Sequence, residues 1–230
     1  MAEPNPEELF NLGVKSSEAK DCIQAKKYFE KACNLNYAKG CVSLGGLYEG
    51  ENLVIGENPS EKLVKERLKK AIQYYSKACD LKDGEGCFNL GYIYELNGYG
   101  VVKKDLKKVA QYYSKACELN LGVSCSLLGF LYQNGNGVKK DLKKAFALYA
   151  KACGLKDGDG CLRLGEMQRS GEGVVKNREQ AMKNFKKGCE LKNELACVGY
   201  IATEAEIMKE RCKLGDEVAC DTLEQLLDLK

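Results

Sequence analysis

Histidine and tryptophan are absent from this 230-residue chain, and proline occurs only three times. Without histidine there is no Ser-His-Asp triad, no Cys-His nucleophile pair and no HExxH zinc site. Acid–base chemistry would fall to Glu, Asp, Lys, Tyr or Cys. So few prolines leave long stretches free to be helical. No window of 18 apolar residues occurs, so no membrane span is predicted. Charge of either sign is nearly balanced, 36 basic residues against 33 acidic ones. With acidic residues interspersed throughout, nucleic acid is not expected as a partner. The start, Met1-Ala2-Glu3-Pro4, has no basic and apolar signal region.

What the chain does have is cysteine, 13 in all. Twelve fall into pairs eight residues apart: Cys33/Cys41, Cys79/Cys87, Cys117/Cys125, Cys153/Cys161, Cys189/Cys197 and Cys212/Cys220. First members are separated by 46, 38, 36, 36 and 23 residues, so a period of 36 underlies the chain. The surrounding text repeats as well. Tyr-Ser-Lys-Ala-Cys at 75–79 and 113–117 matches Tyr-Ala-Lys-Ala-Cys at 149–153, and Lys-Lys-Asp-Leu-Lys-Lys occurs at 103–108 and 139–144. Gly-x-Gly turns followed by valine recur at Gly98, Gly135 and Gly171.

Each repeat reads as two helices. The first runs from about Cys87 to Leu96 and is ended by glycine; the second starts near the N-cap Asp105 and runs to about Leu119. Leu142, Ala145, Tyr149 and Ala152 recur at three- and four-residue steps on one face. No segment alternates at period two, so no strand is predicted. Cys117 then lies in the last turn of one helix and Cys125 in the first turn of the next. The short link through Asn120 and Gly122 forces an antiparallel hairpin that brings the sulfurs within bridging reach. The six pairs are therefore read as six disulfides, each worth roughly 2–3 kcal/mol by loop-closure entropy. Such staples suit repeats with thin cores and an oxidising compartment. A metal site is not expected, because no Cys-x-x-Cys occurs. Cys22, the thirteenth, stands where Leu106 and Leu142 stand in later repeats. It reads as a small buried hydrophobe or as a thiol joining two chains.

The stretch Ala-Cys-Glu-Leu-Asn…Cys-x-Leu-Leu-Gly-x-Leu-Tyr-x-Asn-Gly-x-Gly-Val-Lys-Lys-Asp-Leu-Lys-Lys-Ala at 116–145 resembles the Sel1-like repeat, a relative of the tetratricopeptide repeat. The eight-residue cysteine spacing is similar to that of the Helicobacter cysteine-rich proteins. The resemblance covers roughly residues 7–222. It implies an all-α, right-handed α/α superhelix of disulfide-stapled antiparallel helix pairs, forming a single repeat domain over 1–230. The divisions expected are 5–38, 39–84 with an insertion near 51–62 that includes Asn58-Pro59, 85–122, 123–158, 159–194, a shortened sixth at 195–217, and a C-terminal capping helix at 218–230. The resemblance also implies export, with a removed signal, so the chain is expected to be secreted or periplasmic. It further implies penicillin binding with slow β-lactam hydrolysis, and action on host cells through a host-cell protein.

Comparing the repeats separates core from surface. Leu44, Leu90, Leu128 and Leu164 match, as do Gly45, Gly91, Gly129 and Gly165, and Leu47, Ile93, Leu131 and Met167; all three sets read as packing. The residues one and five places past each second cysteine vary more, and in repeats of this general type that face lines the concave groove. The candidate ligand groove comprises Phe10 and Val14, Val42, Phe88 and Tyr92, Ser126 and Phe130, and Leu162 and Glu166. Glu95, Gln133 and Arg169 add polar contacts. Such an aromatic ladder suits a peptide, protein or muropeptide-like ligand, or else packs against neighbouring repeats. The lysine stripe at 103, 104, 107, 108, 139, 140, 143 and 144 is a solvated face or a contact for an acidic surface. A monomer without cofactor is expected, and no catalytic residue is assigned. A lone Ser-x-x-Lys, Ser17…Lys20, lacks the Ser-Asp-Asn and Lys-Thr-Gly motifs that accompany it in serine β-lactamases.

Overall fold

The same short link follows each second helix, and its geometry sets the architecture. In the computed structural model, which describes residues 4–50, 60–96 and 100–228, each of these helices closes on a leucine followed by a residue in the left-handed region. These residues are Asn36, Lys82, Asn120, Lys156 and Lys192, with Gly215 in the same place after α11, while Lys20 follows Ala19 at the end of the first helix of the chain. Around Asn36 the N–H donates to the Cys33 carbonyl and the next N–H, of Tyr37, donates to Ala32. This is the double bond pattern of a Schellman end. It recurs with Asp83 to Ala78, Asp157 to Ala152 and Asn193 to Gly188. Asp83, Asp157 and Asn193 then turn their side chains onto the N–H groups of Gly86, Gly160 and Ala196 and so start the following helix. The residue whose N–H closes one helix thus caps the next with its side chain, and the chain reverses in a three-residue link.

The chain is all-α, an α/α solenoid of disulfide-stapled helix pairs, with no strand among the described residues. It divides into two compact halves, Met1–Asn120 and Leu121–Lys230. The first holds α1 (Pro6–Glu18), α2 (Cys22–Asn34), α3 (Ala38–Gly50), α4 (Glu61–Asp80), α5 (Gly84–Glu95) and α6 (Leu106–Glu118). The second holds α7 (Gly122–Asn134), α8 (Leu142–Gly154), α9 (Gly158–Ser170), α10 (Arg178–Glu190), α11 (Glu194–Lys213) and α12 (Glu217–Asp228). Within each half, consecutive helices pack in chain order. The insertion near 51–62 falls largely on residues 51–59, outside the described residues, as do Asn58-Pro59 and Gly98; α4 begins after its N-cap Ser60.

Bridges Cys33–Cys41, Cys79–Cys87, Cys153–Cys161, Cys189–Cys197 and Cys212–Cys220 join helices whose Cα atoms stand 4.5–4.8 Å apart at those points. Cys117 and Cys125 are disulfide-bonded too. Close approach needs small residues nearby. A Cβ on Gly40, Gly86 or Gly160 would sit 2.8, 2.6 or 2.5 Å from the Cβ of Ala32, Ala78 or Ala152. Ser124 holds this place in α7, its hydroxyl buried with no hydrogen-bond partner. Cys22 is the free thiol and is exposed at the first turn of α2, which overturns the expectation of a buried small hydrophobe.

The core repeats as expected. Leu44, Leu90, Leu128 and Leu164 are buried, and Ala145, Tyr149 and Ala152 form the inward stripe of α8. Gly45, Gly91, Gly129 and Gly165 each press against one aromatic ring of a second helix: Tyr75, Tyr113, Tyr149 and Phe185. Added Cβ atoms there would lie 2.6–2.8 Å from ring carbons.

The shortened sixth repeat contains no hairpin. Gly135 and Gly171 end α7 and α9 in the left-handed conformation, at φ 75° and 82°. One period of 36 residues past Gly171 stands Ile207, and the Gly-x-Gly turn is missing from the sequence there. Nothing stops the helix, so α11 runs for 20 residues where α7 and α9 run for 13.

Candidate binding face

In the first half, the predicted face begins on α1. Phe10 is half-buried and tilts against Phe29 and Tyr37, with ring centroids 5.7 and 5.5 Å away. Val14 and Val42 are also half-buried, Val42 against the Cys33–Cys41 bridge and Ala78. On α5, Phe88 stacks between Tyr92 at 6.2 Å and the buried Tyr113 at 5.9 Å. Tyr92, at the outer end of this stack, is 43% exposed. The side chain is therefore held from behind and open in front.

In the second half, Phe130 on α7 is 44% exposed. Ser126 and Leu162 are not: both are buried, which corrects the expectation that they line an open face. Ser126 donates its hydroxyl to Asp157, the N-cap of α9, tying α7 to the link that follows α8. Leu162 lies in a cluster with Ala181, Phe185 and Ala196. Glu166 is half-buried and pairs with Arg163 at 3.0 Å.

The polar residues assigned to the face have a structural partner that sequence reasoning missed. Tyr75 donates its hydroxyl to Glu49 at 2.9 Å, Tyr113 to Glu95 at 2.6 Å, and Tyr149 to Gln133 at 2.8 Å. Each acceptor lies eight residues past the second cysteine of its repeat. In the fifth repeat that place holds Arg169, which cannot accept, and the ring opposite is Phe185, which has nothing to donate. The guanidinium sits 5.8 Å from the Phe185 centroid. Acceptor and hydroxyl change together along the chain, and that covariation inside one sequence was the available signal. Burial raises the Tyr75 and Tyr113 phenols well above their ordinary value, with Glu49 and Glu95 adding to the shift. Burial likewise pushes Tyr149 up to about 12.

The lysine stripe is exposed, with Lys103, Lys104, Lys139 and Lys140 in the connections and Lys107, Lys108, Lys143 and Lys144 in the first turns of α6 and α8. Lys144 reaches over the Tyr132 ring and donates to its hydroxyl at 2.7 Å, and Lys108 sits over Tyr94. Ser17 lies exposed near the end of α1, and Lys20 falls outside the helix in the left-handed region. The two do not share a helix face. Among the described residues, no cluster of three or more metal-ligating side chains comes together, and no helix is long and apolar enough to cross a membrane. The disulfides are those of a protein from an oxidising environment.

The comparisons with known proteins agree with this architecture. A solved Sel1 repeat protein from Oxalobacter formigenes shares the fold, with a TM-score of 0.72 and 24% identity over 98% of this chain and 86% of that one. HcpC of Helicobacter pylori is 60% identical over 48 residues, 21% of this chain and 17% of HcpC. Beta-lactamase HcpA of Helicobacter pylori is 47% identical over 73 residues, 32% of this chain and 25% of HcpA. The matched stretches thus span a quarter or less of these two relatives. The Sel1 repeat model matches residues 9–37, 65–83, 84–121, 122–157 and 158–193, well over half of the chain, and on that ground the protein belongs to the Sel1-repeat family.

Proposed function

We propose that this Sel1-repeat protein is a binding module, not a dedicated enzyme, and that the outer face of α5 grips a peptide segment of a partner protein. Sel1 repeats are a scaffold that typically mediates protein binding. The observation that carries the reading is the ring stack Tyr113–Phe88–Tyr92, which runs from the core to the surface. A large ring held from behind loses little freedom on contact and contributes apolar area with one polar tip, which is the make-up of an interface anchor. The compartment that fits the bridges is extracellular or periplasmic, and the partners within reach there are peptides, muropeptide-like cell-wall fragments and host-cell proteins. Peptides selected from a display library on the whole protein should bind Tyr92→Ala and Phe88→Ala more weakly by about 1–2 kcal/mol. Unchanged binding of every selected peptide by both variants overturns the assignment.

A second reading, penicillin binding with slow β-lactam hydrolysis, draws on the description of HcpA as a beta-lactamase. It is tested by turnover of a chromogenic β-lactam by metal-free protein. Loss of that turnover in Ser17→Ala would carry this reading over the first.

A further inference from the structure

The run-on of α11 changes the surroundings of the start of α10. In the fourth repeat, Leu142 at the start of α8 packs against the turn that follows α9; a Cβ on Gly173 would lie 2.5 Å from that of Leu142. One period later Arg178 takes the place of that leucine, and the turn is replaced by the last two turns of α11. Arg178 donates Nη1 to Glu210 and stands with Nε 3.5 Å from Glu206. Its Nε is buried without a hydrogen-bond partner. A cleft of about 430 Å³ opens beside it, bounded by Arg169 and Ser170 from α9, Lys176 from the connection, and Lys209 and Lys213 from α11.

Five cationic side chains line this cleft against two carboxylates, an excess of three positive charges. Both carboxylates are taken up by Arg178. Among the described residues, Arg169, Lys176, Lys209 and Lys213 have no carboxylate within ion-pairing distance. Packing a net excess of three cations round one concavity costs repulsion, and a net positive cleft focuses its field on whatever enters. A single carboxylate would leave most of that charge unanswered. A phosphate monoester or diphosphate, with two or three negative charges and several acceptor oxygens, matches it.

We infer that the cleft between the α9–α10 connection and the run-on end of α11 binds a phosphate or diphosphate group, held by Arg169, Lys176, Lys209 and Lys213 with Arg178 fixed behind them. This site is independent of the peptide-binding reading, since it uses neither Phe88 nor Tyr92.

The test is calorimetric titration of the whole protein with inorganic pyrophosphate at low ionic strength. Binding should weaken by about tenfold or more in Lys209→Ala/Lys213→Ala, and severalfold in Lys176→Ala, which lies outside any helix and carries no fold risk. The charge-matched control Lys27→Ala/Lys39→Ala, in the other half of the chain, should shift it by less than about twofold. No binding at about 1 mM pyrophosphate, or equal weakening by the control pair, overturns the inference. Co-sedimentation with phosphatidylglycerol vesicles separates the sources. Vesicle binding that pyrophosphate displaces assigns the site to a lipid headgroup, and pyrophosphate binding without vesicle binding assigns it to a free phosphate compound.

Discussion

Phe88 on α5 and Leu162 on α9 hold the same place in the repeat, one residue past a bridging cysteine, and meet opposite fates. Phe88 is half-buried in a ring stack that reaches solvent at Tyr92; Leu162 is closed over by Ala181, Phe185 and Ala196. Eight places past the same cysteines, Glu95 takes a hydroxyl proton from Tyr113, while Arg169 lies over Phe185. The lesson is that the repeat fixes where a side chain stands, and the packed neighbours decide whether it is surface. Two stretches of nearly identical backbone can therefore carry different chemistry on a common frame.

The common frame itself is open to the largest perturbation. The bridges removed by Cys79→Ala/Cys87→Ala and by Cys153→Ala/Cys161→Ala close loops of the same length, so each double substitution should cost roughly 2–3 kcal/mol in denaturant unfolding under matched conditions. A several-fold difference between them would break the claim that the frames are equivalent.

Next come the close contacts of glycine with a ring. Gly91→Ala and Gly165→Ala place a Cβ 2.6 Å from the Tyr113 ring and 2.7 Å from the Phe185 ring. Each should destabilise by about 1–3 kcal/mol in thermal or denaturant melts. The two costs should be similar, because Tyr113 is tethered to Glu95 and Phe185 is pressed between Gly165 and Gly199.

The hydroxyl link separates the regions more finely. Tyr113→Phe should cost about 1 kcal/mol at neutral pH by leaving Glu95 without its donor. The three raised phenols also set an alkaline limit. Each holds its proton more tightly folded than unfolded, so the stabilisation is whole below pH 10 and is lost as pH rises through the folded value, about 12 for Tyr149. A Tyr75→Phe/Tyr113→Phe/Tyr149→Phe variant should therefore show a shallower fall in stability from pH 10 upward than the parent, read from denaturation midpoints against pH.

The smallest effect concerns the links. Lys82→Gly and Lys156→Gly relieve a left-handed lysine at φ 62° and 64° and should each stabilise by about 0.5 kcal/mol. Equal gains at both sites would again support one frame carrying two faces.

Much of the fold could be read directly because its signals are local. The eight-residue cysteine spacing, the N-cap at Asp105, and the inward stripe Ala145, Tyr149 and Ala152 all rest on contacts within one turn or one hairpin. The candidate face was harder to read. Ser126 and Leu162 stand at outward register, yet one bonds to Asp157, 31 residues on, and the other is covered by residues of α10 and α11. Glu95 and Gln133 looked like free polar contacts until the phenols opposite them were placed. Cys22 occupies a leucine position and is nonetheless exposed.

Sequence alone determined the helices, their short links, the pairing of the cysteines and the places where glycine stops a helix, because each is settled by residues within a few positions of one another. Tertiary structure decided which of the outward positions are open, which tyrosines are tied to which acceptors, and that the unstopped α11 meets Arg178 and leaves a charged cleft beside it. Those outcomes depend on side chains a full repeat apart, and only the stacking of one helix pair on the next brings them together.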